Sequence, residues 1–344
     1  MRPPETGGGR LRAYAQFIAA VLYFFVARSL AHRGAFGLVA EQWRPLVEQA
    51  VLVFLLLLGY AGMGSWLDRQ FHPVSAQGLP LRQGWPAEAG VGLAVGWSLA
   101  VICVLPMVVG GGIAIVLVFQ PSAWGWLAAD AAFFALAAMA EEIAFRGYAF
   151  QRFEHAVGPA GAAMGFAAYY AIVQAQAPGS NHASLAVSVM LSLVLSAAYL
   201  RTRALWLSWG LNFGWKASRA LIFGLAVRGV NNHSPVVQGD PMGPLWLTGG
   251  GYGLDGSWVA FAVLLAALPV VFRVTRELDY RYNAPVIVPG GIPVDLDAAA
   301  RRQHEAAMGS AEPSAPSLVQ ILPAAPPAPE RGEEPPVGPT GNAG

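Results

Sequence analysis

The stretch Met139 to Phe150 reads MAEEIAFRGYAF, so two adjacent carboxylates, Glu141 and Glu142, and one guanidinium, Arg146, close a run of alanines and phenylalanines. On a helix, Glu142 and Arg146 stand four residues apart and share a face, while Glu141 points about 100° away. One carboxylate can then be held by the arginine while the other projects into a bundle as a positioned base. The plainer reading is an ion pair where a helix leaves a membrane. Acids within an apolar span are costly to keep and read as functional by default. Two of them, with the arginine at this spacing, favour a site.

The elements that would position these groups are membrane helices. The 344 residues are 55% hydrophobic and only 12% charged, with a mean hydropathy of +0.47, the profile of a membrane protein. The formal net charge of +1 carries no polybasic signature, which argues against nucleic acid as a partner. A lone cysteine, Cys103, excludes an internal disulfide framework and a cysteine-based metal cluster.

A spanning helix needs about 20 mostly apolar residues. Eight windows qualify, at Ala13 to Leu30, Leu46 to Trp66, Ala87 to Gly110, Trp124 to Phe145, Gly158 to Gln174, Ser184 to Leu200, Ala204 to Gly224 and Ser257 to Phe272. The fold class is therefore an all-α integral membrane protein of about eight transmembrane helices, without a substantial soluble domain. GGGIAIVLVF, after the third window, either lengthens that helix or forms a short segment of its own. Arg2, Arg10 and Arg12 before the first window suit a signal peptide too, but no small-residue cleavage site follows, so the helix is read as retained.

With the N-terminus in the cytoplasm, the inner segments hold Arg2, Arg10, Arg12, Arg69, Arg82, Arg146, Arg152, Arg201, Arg203, Arg273, Arg276 and Arg281. The outer ones hold little more than Arg33, Arg44 and Arg228. The positive-inside rule thus places the chain in a cytoplasmic (inner) membrane with both termini cytoplasmic. The connection before the last window, RGVNNHSPVVQGDPMGPLWLTGGGYGLDG, lacks a helical period and reads as a loop on the outer face. Beyond Glu312 the chain is dense in proline and reads as disordered. The organisation is N-terminal helices over 1–78, a helical core over 79–282 and a cytoplasmic tail over 283–344.

EEIAFR, Glu141 to Arg146, matches the EExxxR motif of the CPBP family of intramembrane endopeptidases, which includes CAAX prenyl proteases and bacteriocin-processing or self-immunity proteins. Tyr199 to Gly224 resembles the helix of that family's third motif, and Gly243 to Ala266 the segment that follows it. The resemblance covers roughly Leu79 to Arg273 and implies the CPBP helical bundle. It also implies two histidines. In YAIVQ, Gln174 stands where the second motif has one; in NFGWK, Asn212 stands where the third has the other, with Lys216 in the following asparagine position.

One account of the family has glutamate activating water while histidine and asparagine stabilise an oxyanion; another has glutamates and histidines holding a metal. Gln174, Asn212 and Lys216 are poor metal ligands, so no cofactor is expected here, although the family implies a metal. The amides of Gln174 and Asn212 could donate to an oxyanion, but an ammonium beside Glu141 would weaken it as a base. Of the six histidines, His32, His72, His155, His233 and His304 fall in connections or tails, and His182 in an outer loop.

Asn212, Lys216 and Arg219 share one helix face, and cations at that depth need partners. The expectation is a buried charge cluster of Glu141, Glu142, Arg146 and Lys216 where relatives hydrolyse peptide bonds. The leading reading is a catalytically degenerate member that binds a membrane protein or lipidated peptide within the bilayer, with Glu141 against Lys216 and no room for water. The alternative is an active endopeptidase using Glu141 with Gln174 and Asn212 as donors; a third is a small-molecule carrier. Tryptophans such as Trp43, Trp66, Trp124 and Trp206 read as interfacial anchors, and GAAMG, Gly161 to Gly165, as a helix-packing surface.

Overall fold

The computed structural model describes residues 7–230, 234 and 236–276. These contain α1 (Gly7–Leu38), α2 (Arg44–Asp68), α3 (Pro73–Ala76), α4 (Trp85–Val109), α5 (Pro121–Arg146), α6 (Tyr148–Val157), α7 (Pro159–Ala175), α8 (His182–Thr202), α9 (Leu205–Ala217), α10 (Leu245–Thr248) and α11 (Trp258–Val274). A helix occupies each of the eight apolar windows. The chain is an all-α membrane protein, with five helices long and apolar enough to cross a bilayer: α1, α2, α4, α8 and the α5–α6 unit. α7 and α11, at 17 residues each, are shorter, and α9, at 13 residues, is continued by the π turn Ser218–Ile222.

Local chemistry sets the boundaries. Proline begins α3, α5 and α7, where its missing N–H and fixed φ cost nothing. Arg69 and Arg203 adopt left-handed conformations that stop α2 and α8, with φ of 54° and 52°. Asn181 caps α8, accepting from the Ser184 N–H at 2.8 Å while Ser184 Oγ accepts in return at 2.9 Å. Gly147 separates α5 from α6: a Cβ there would stand 2.4 Å from the Ile143 carbonyl oxygen, so the sharp break demands glycine.

α4 and α9 pack backbone to backbone through reciprocal glycine pairs. A Cβ on Gly92 or Gly96 would lie 2.2 Å from the carbonyl oxygen of Leu207 or Leu211, and one on Gly210 would lie 2.1 Å from that of Ala89. Gly214 completes the set against Leu93. This is the small-xxx-small device of membrane helices, in which close approach stands in for the absent hydrophobic drive. The sequence reading credited GAAMG instead. There, Gly165 only accommodates the Phe153 ring of α6.

Polar networks sort the helix ends into two sets. At one end Asp68 accepts from Gln16 and Tyr148, each at 2.9 Å, and from Arg152 at 3.2 Å; Arg82 binds Glu88 and the Thr202 carbonyl. At the other, Trp43 meets Trp126 with ring centroids 5.1 Å apart.

GGGIAIVLVF is no extension of α4 but a short segment of its own, the second of the two alternatives: Ile113–Leu117 is β1, paired antiparallel with β2, Val237–Pro241, in the register Ile115 opposite Gly239. The β-branched residues suit a strand, and the triple glycine before them ends the helix. The connection before α11 is likewise no plain surface loop. It supplies β2, α10 and two short 3₁₀ turns, and it sends Arg228 and Asp255 inward. His32 and His155 lie on α1 and α6 rather than in connections, and Trp206 is buried against Trp85. His233, His304 and the proline-rich tail lie outside the described residues.

Candidate functional site

The site forms where the last turns of α5 face α9. The glycine contacts with α4 fix the position of α9, and the break at Gly147 fixes where α5 ends. Glu142 is fully buried, 3.1 Å from Arg146 Nη1 one turn on. Arg146 Nη2 donates to the carbonyl oxygen and hydroxyl of Ser192 on α8, each at 3.3 Å. The arginine thus ties α5 to α8 through the carboxylate it holds.

Asn212 connects the two acids. Its Nδ2 donates to Glu142 Oε1 at 2.9 Å and to Glu141 Oε2 at 3.1 Å. Lys216, one turn later on α9, places Nζ 2.6 Å from Glu141 Oε2. The cluster expected of Glu141, Glu142, Arg146 and Lys216 is therefore assembled in space. Glu141 is the only one of the two acids in contact with the cavity; its side chain is 20% exposed.

Sequence reasoning missed two members. Arg228 enters from the connection before α11 and stands 2.9 Å from Glu141 Oε1. It also donates to Tyr170 Oη and lies over the Tyr170 ring. Gln174, with its amide oriented to accept, takes hydrogen bonds from Arg228 Nη1 and Nε at 2.9 and 3.2 Å. Gln174 thus accepts through its amide oxygen, and both donor contacts of Asn212 go to the glutamates, so the Asn212 amide does not stand free to donate to an oxyanion in this arrangement. Asp255 is the second missed residue. It pairs with Arg219 at 2.7 Å, accepts from Trp215 Nε1 at 3.2 Å and approaches Arg228 at 4.0 Å. Arg219 therefore pairs with Asp255 and not with the glutamates, because the π turn carries it around the helix.

Burial pushes the Asp255 carboxyl up, but the Arg219 and Arg228 guanidiniums more than offset this and hold it below its ordinary value. No signal in the sequence separated Arg228 or Asp255 from other loop charges.

Beside Glu141 opens a cavity of about 840 Å³. Gln174, Lys216 and Arg228 border it, and its far walls include Phe24 of α1, Leu52 of α2 and Phe134 of α5. The expectation that the degenerate reading leaves no room for water is thus not met, although its companion, the contact between Glu141 and Lys216, is present. The donor set does not fit a metal. Glu141 is committed to an ammonium and a guanidinium, and among the described residues no three His, Cys, Asp or Glu side chains gather as a ligand group. His182 is exposed at the first position of α8, and His32 pairs with Glu48 at 3.0 Å.

Fold and site together define a polytopic helical membrane protein with a glutamate pair of which Glu142 is buried and Glu141 opens on a cavity among the helices. Residues 121–218 match a family model described as type II CAAX prenyl endopeptidase Rce1-like, in agreement with the resemblance drawn from EEIAFR. The matched segment runs from the start of α5 into the π turn, so it holds Glu141, Glu142, Arg146, Gln174, Asn212 and Lys216 but neither Arg228 nor Asp255. No curated protein and no solved structure matches the chain.

Proposed function

We propose that this Rce1-like membrane protein does not hydrolyse peptide bonds and instead binds a membrane protein or lipidated peptide at the cavity beside Glu141. The observation that carries this reading is the double engagement of Glu141, with Lys216 at 2.6 Å and Arg228 at 2.9 Å. A carboxylate shared by two cations is a charge partner, poorly suited to take a proton from water. The cavity fits a binding role, since ligand sites are mostly apolar hollows of about 300–1,000 Å³. Eight crossings with both ends of the chain on the cytoplasmic side of an inner membrane complete the proposal.

The second reading, an active endopeptidase, draws on one observation: the cavity reaches Glu141 and has room for substrate and water. Purified protein in lipid, incubated with prenylated and unprenylated peptides, separates the two. Wild type and Glu141→Ala are both expected to leave every peptide intact. Cleavage by wild type that disappears in Glu141→Ala establishes the endopeptidase.

A further inference from the structure

We infer that the cavity binds a single-chain amphiphile bearing a carboxylate, with its head against Lys216 and Arg228 and its chain along the aromatic wall. The inference deepens the binding reading above and rests on it for the cavity being a ligand site.

Charge is the first observation. Glu142 with Arg146, Glu141 with Lys216 and Arg228, and Asp255 with Arg219 and Arg228 form one contiguous set through contacts of 4.0 Å or less, with Asn212 joining the two glutamates. Among the described residues it contains four cations and three carboxylates. Two of the cations, Lys216 and Arg228, share the single carboxylate of Glu141, and both border the cavity. The other charges on the cavity have contacts or solvent of their own. Asp130 accepts the Ser234 N–H at 2.8 Å, Glu48 pairs with His32, and Arg28 is exposed on α1. The deep end is thus short of one anion, and a buried, uncompensated cation is the costly state that a bound monoanion relieves.

The walls are the second observation. Phe24, Phe25, Phe133, Phe134 and Phe145 line the space with Leu52. Phe25 and Ile172, 51% and 61% exposed, stand at the rim, so an entering chain can arrive from the lipid. Tyr169 adds an unused polar group, its buried hydroxyl having no hydrogen-bond partner while its side chain borders the cavity. Long apolar walls ending in a cation pair fit a fatty-acid-like carboxylate.

The test measures binding of radiolabelled palmitate to the full-length protein in maltoside micelles, with hexadecanol as the uncharged competitor. Palmitate is expected to bind saturably and to resist displacement by hexadecanol. Glu141→Gln, which removes the internal competitor for both cations, should tighten binding about tenfold, and Arg228→Gln should weaken it by a similar factor. Equal affinity for hexadecanol overturns the proposal, as does palmitate affinity unchanged in both variants. Each variant is read independently, so failure of one to fold leaves the other decisive. Peptide cleavage by wild type would sink the non-catalytic reading and leave these binding results standing, whereas absent palmitate binding without cleavage sinks this inference alone.

Discussion

Lys216 Nζ lies 2.6 Å from Glu141 Oε2, joining α9 to α5 across 75 residues of chain at a depth where an unpaired ammonium is costly. Both side chains are largely removed from solvent, and Asn212 adds its hydrogen bond to the same carboxylate oxygen at 3.1 Å. The pair fixes the relative height of the two helices that frame the cavity.

Removing one partner should therefore cost more than removing both. Glu141→Gln, which leaves Lys216 and Arg228 without the carboxylate they share, is expected to destabilise the detergent-solubilised protein by about 3 kcal/mol, while adding Lys216→Met recovers part of that loss. Thermal unfolding followed by tryptophan fluorescence measures both. Unchanged stability in Glu141→Gln rules out the pairing.

Arg146 is the more structural cation. Its charge is held by Glu142 and its second nitrogen by Ser192 of α8, so Arg146→Met leaves a fully buried carboxylate without its ion partner. A loss of about 3–5 kcal/mol is expected. Arg146→Lys should recover only part of it, because a point ammonium cannot serve both partners in the fork geometry of a guanidinium. Stability of Arg146→Lys equal to that of wild type would show that the Ser192 contacts contribute nothing.

The α4–α9 contact gives a sharper steric contrast. Gly96→Ala puts a methyl 2.2 Å from the Leu211 carbonyl oxygen, which belongs to a helix backbone that cannot yield locally, whereas a Cβ on Gly90 meets nothing within 4 Å. Gly96→Ala should lower the yield of folded protein and its melting temperature, and Gly90→Ala should match wild type or exceed it slightly, since alanine favours helix. Similar behaviour of the two would dismiss the close approach of α4 and α9.

Asp255 links the connection before α11 to the bundle through Arg219 and Trp215. Its carboxyl is held below the ordinary value of 3.8. The stability it contributes is present above that value and is lost as the pH falls through the lower, folded one. Hydrogen exchange over Leu245 to Gly256 should be slower in wild type than in Asp255→Asn above about pH 4, with the difference shrinking at lower pH. A connection equally protected in both proteins would show that this pair does not hold it.

The proposed orientation also has a direct readout. Single cysteines at Gln70 and at Pro178, in a protein with Cys103 replaced by alanine, should sit on opposite faces of the membrane in intact cells. Only the Pro178 site should react with a membrane-impermeant maleimide added outside. Labelling at Gln70 alone inverts the orientation. Of the arginines assigned to connecting segments, Arg146 lies at the end of α5, and Arg228, in the connection before α11, is drawn into the charge cluster.

The sequence by itself determined the eight apolar helices, the CPBP-family resemblance carried by EEIAFR and the shared face of Glu142 and Arg146. Each is a local property: an apolar run fixes a membrane helix because its backbone must bond within the segment, and side chains four residues apart on a helix meet whatever surrounds them. Even the contact of Glu141 with Lys216 was accessible, since buried cations need acids and few were on offer.

What only the tertiary structure decided involves partners far apart in sequence. Arg228 reaches Glu141 across 87 residues, Asp255 reaches Arg219 from a connection with no helical period, and Ile113–Leu117 is a strand only because Val237–Pro241 returns beside it. The glycines of α4 and α9 were visible as letters, but their pairing depends on two helices meeting at one height. The size of the cavity follows from the same meeting: how closely helices approach is set by side chains from both partners at once, and no single stretch of sequence contains it.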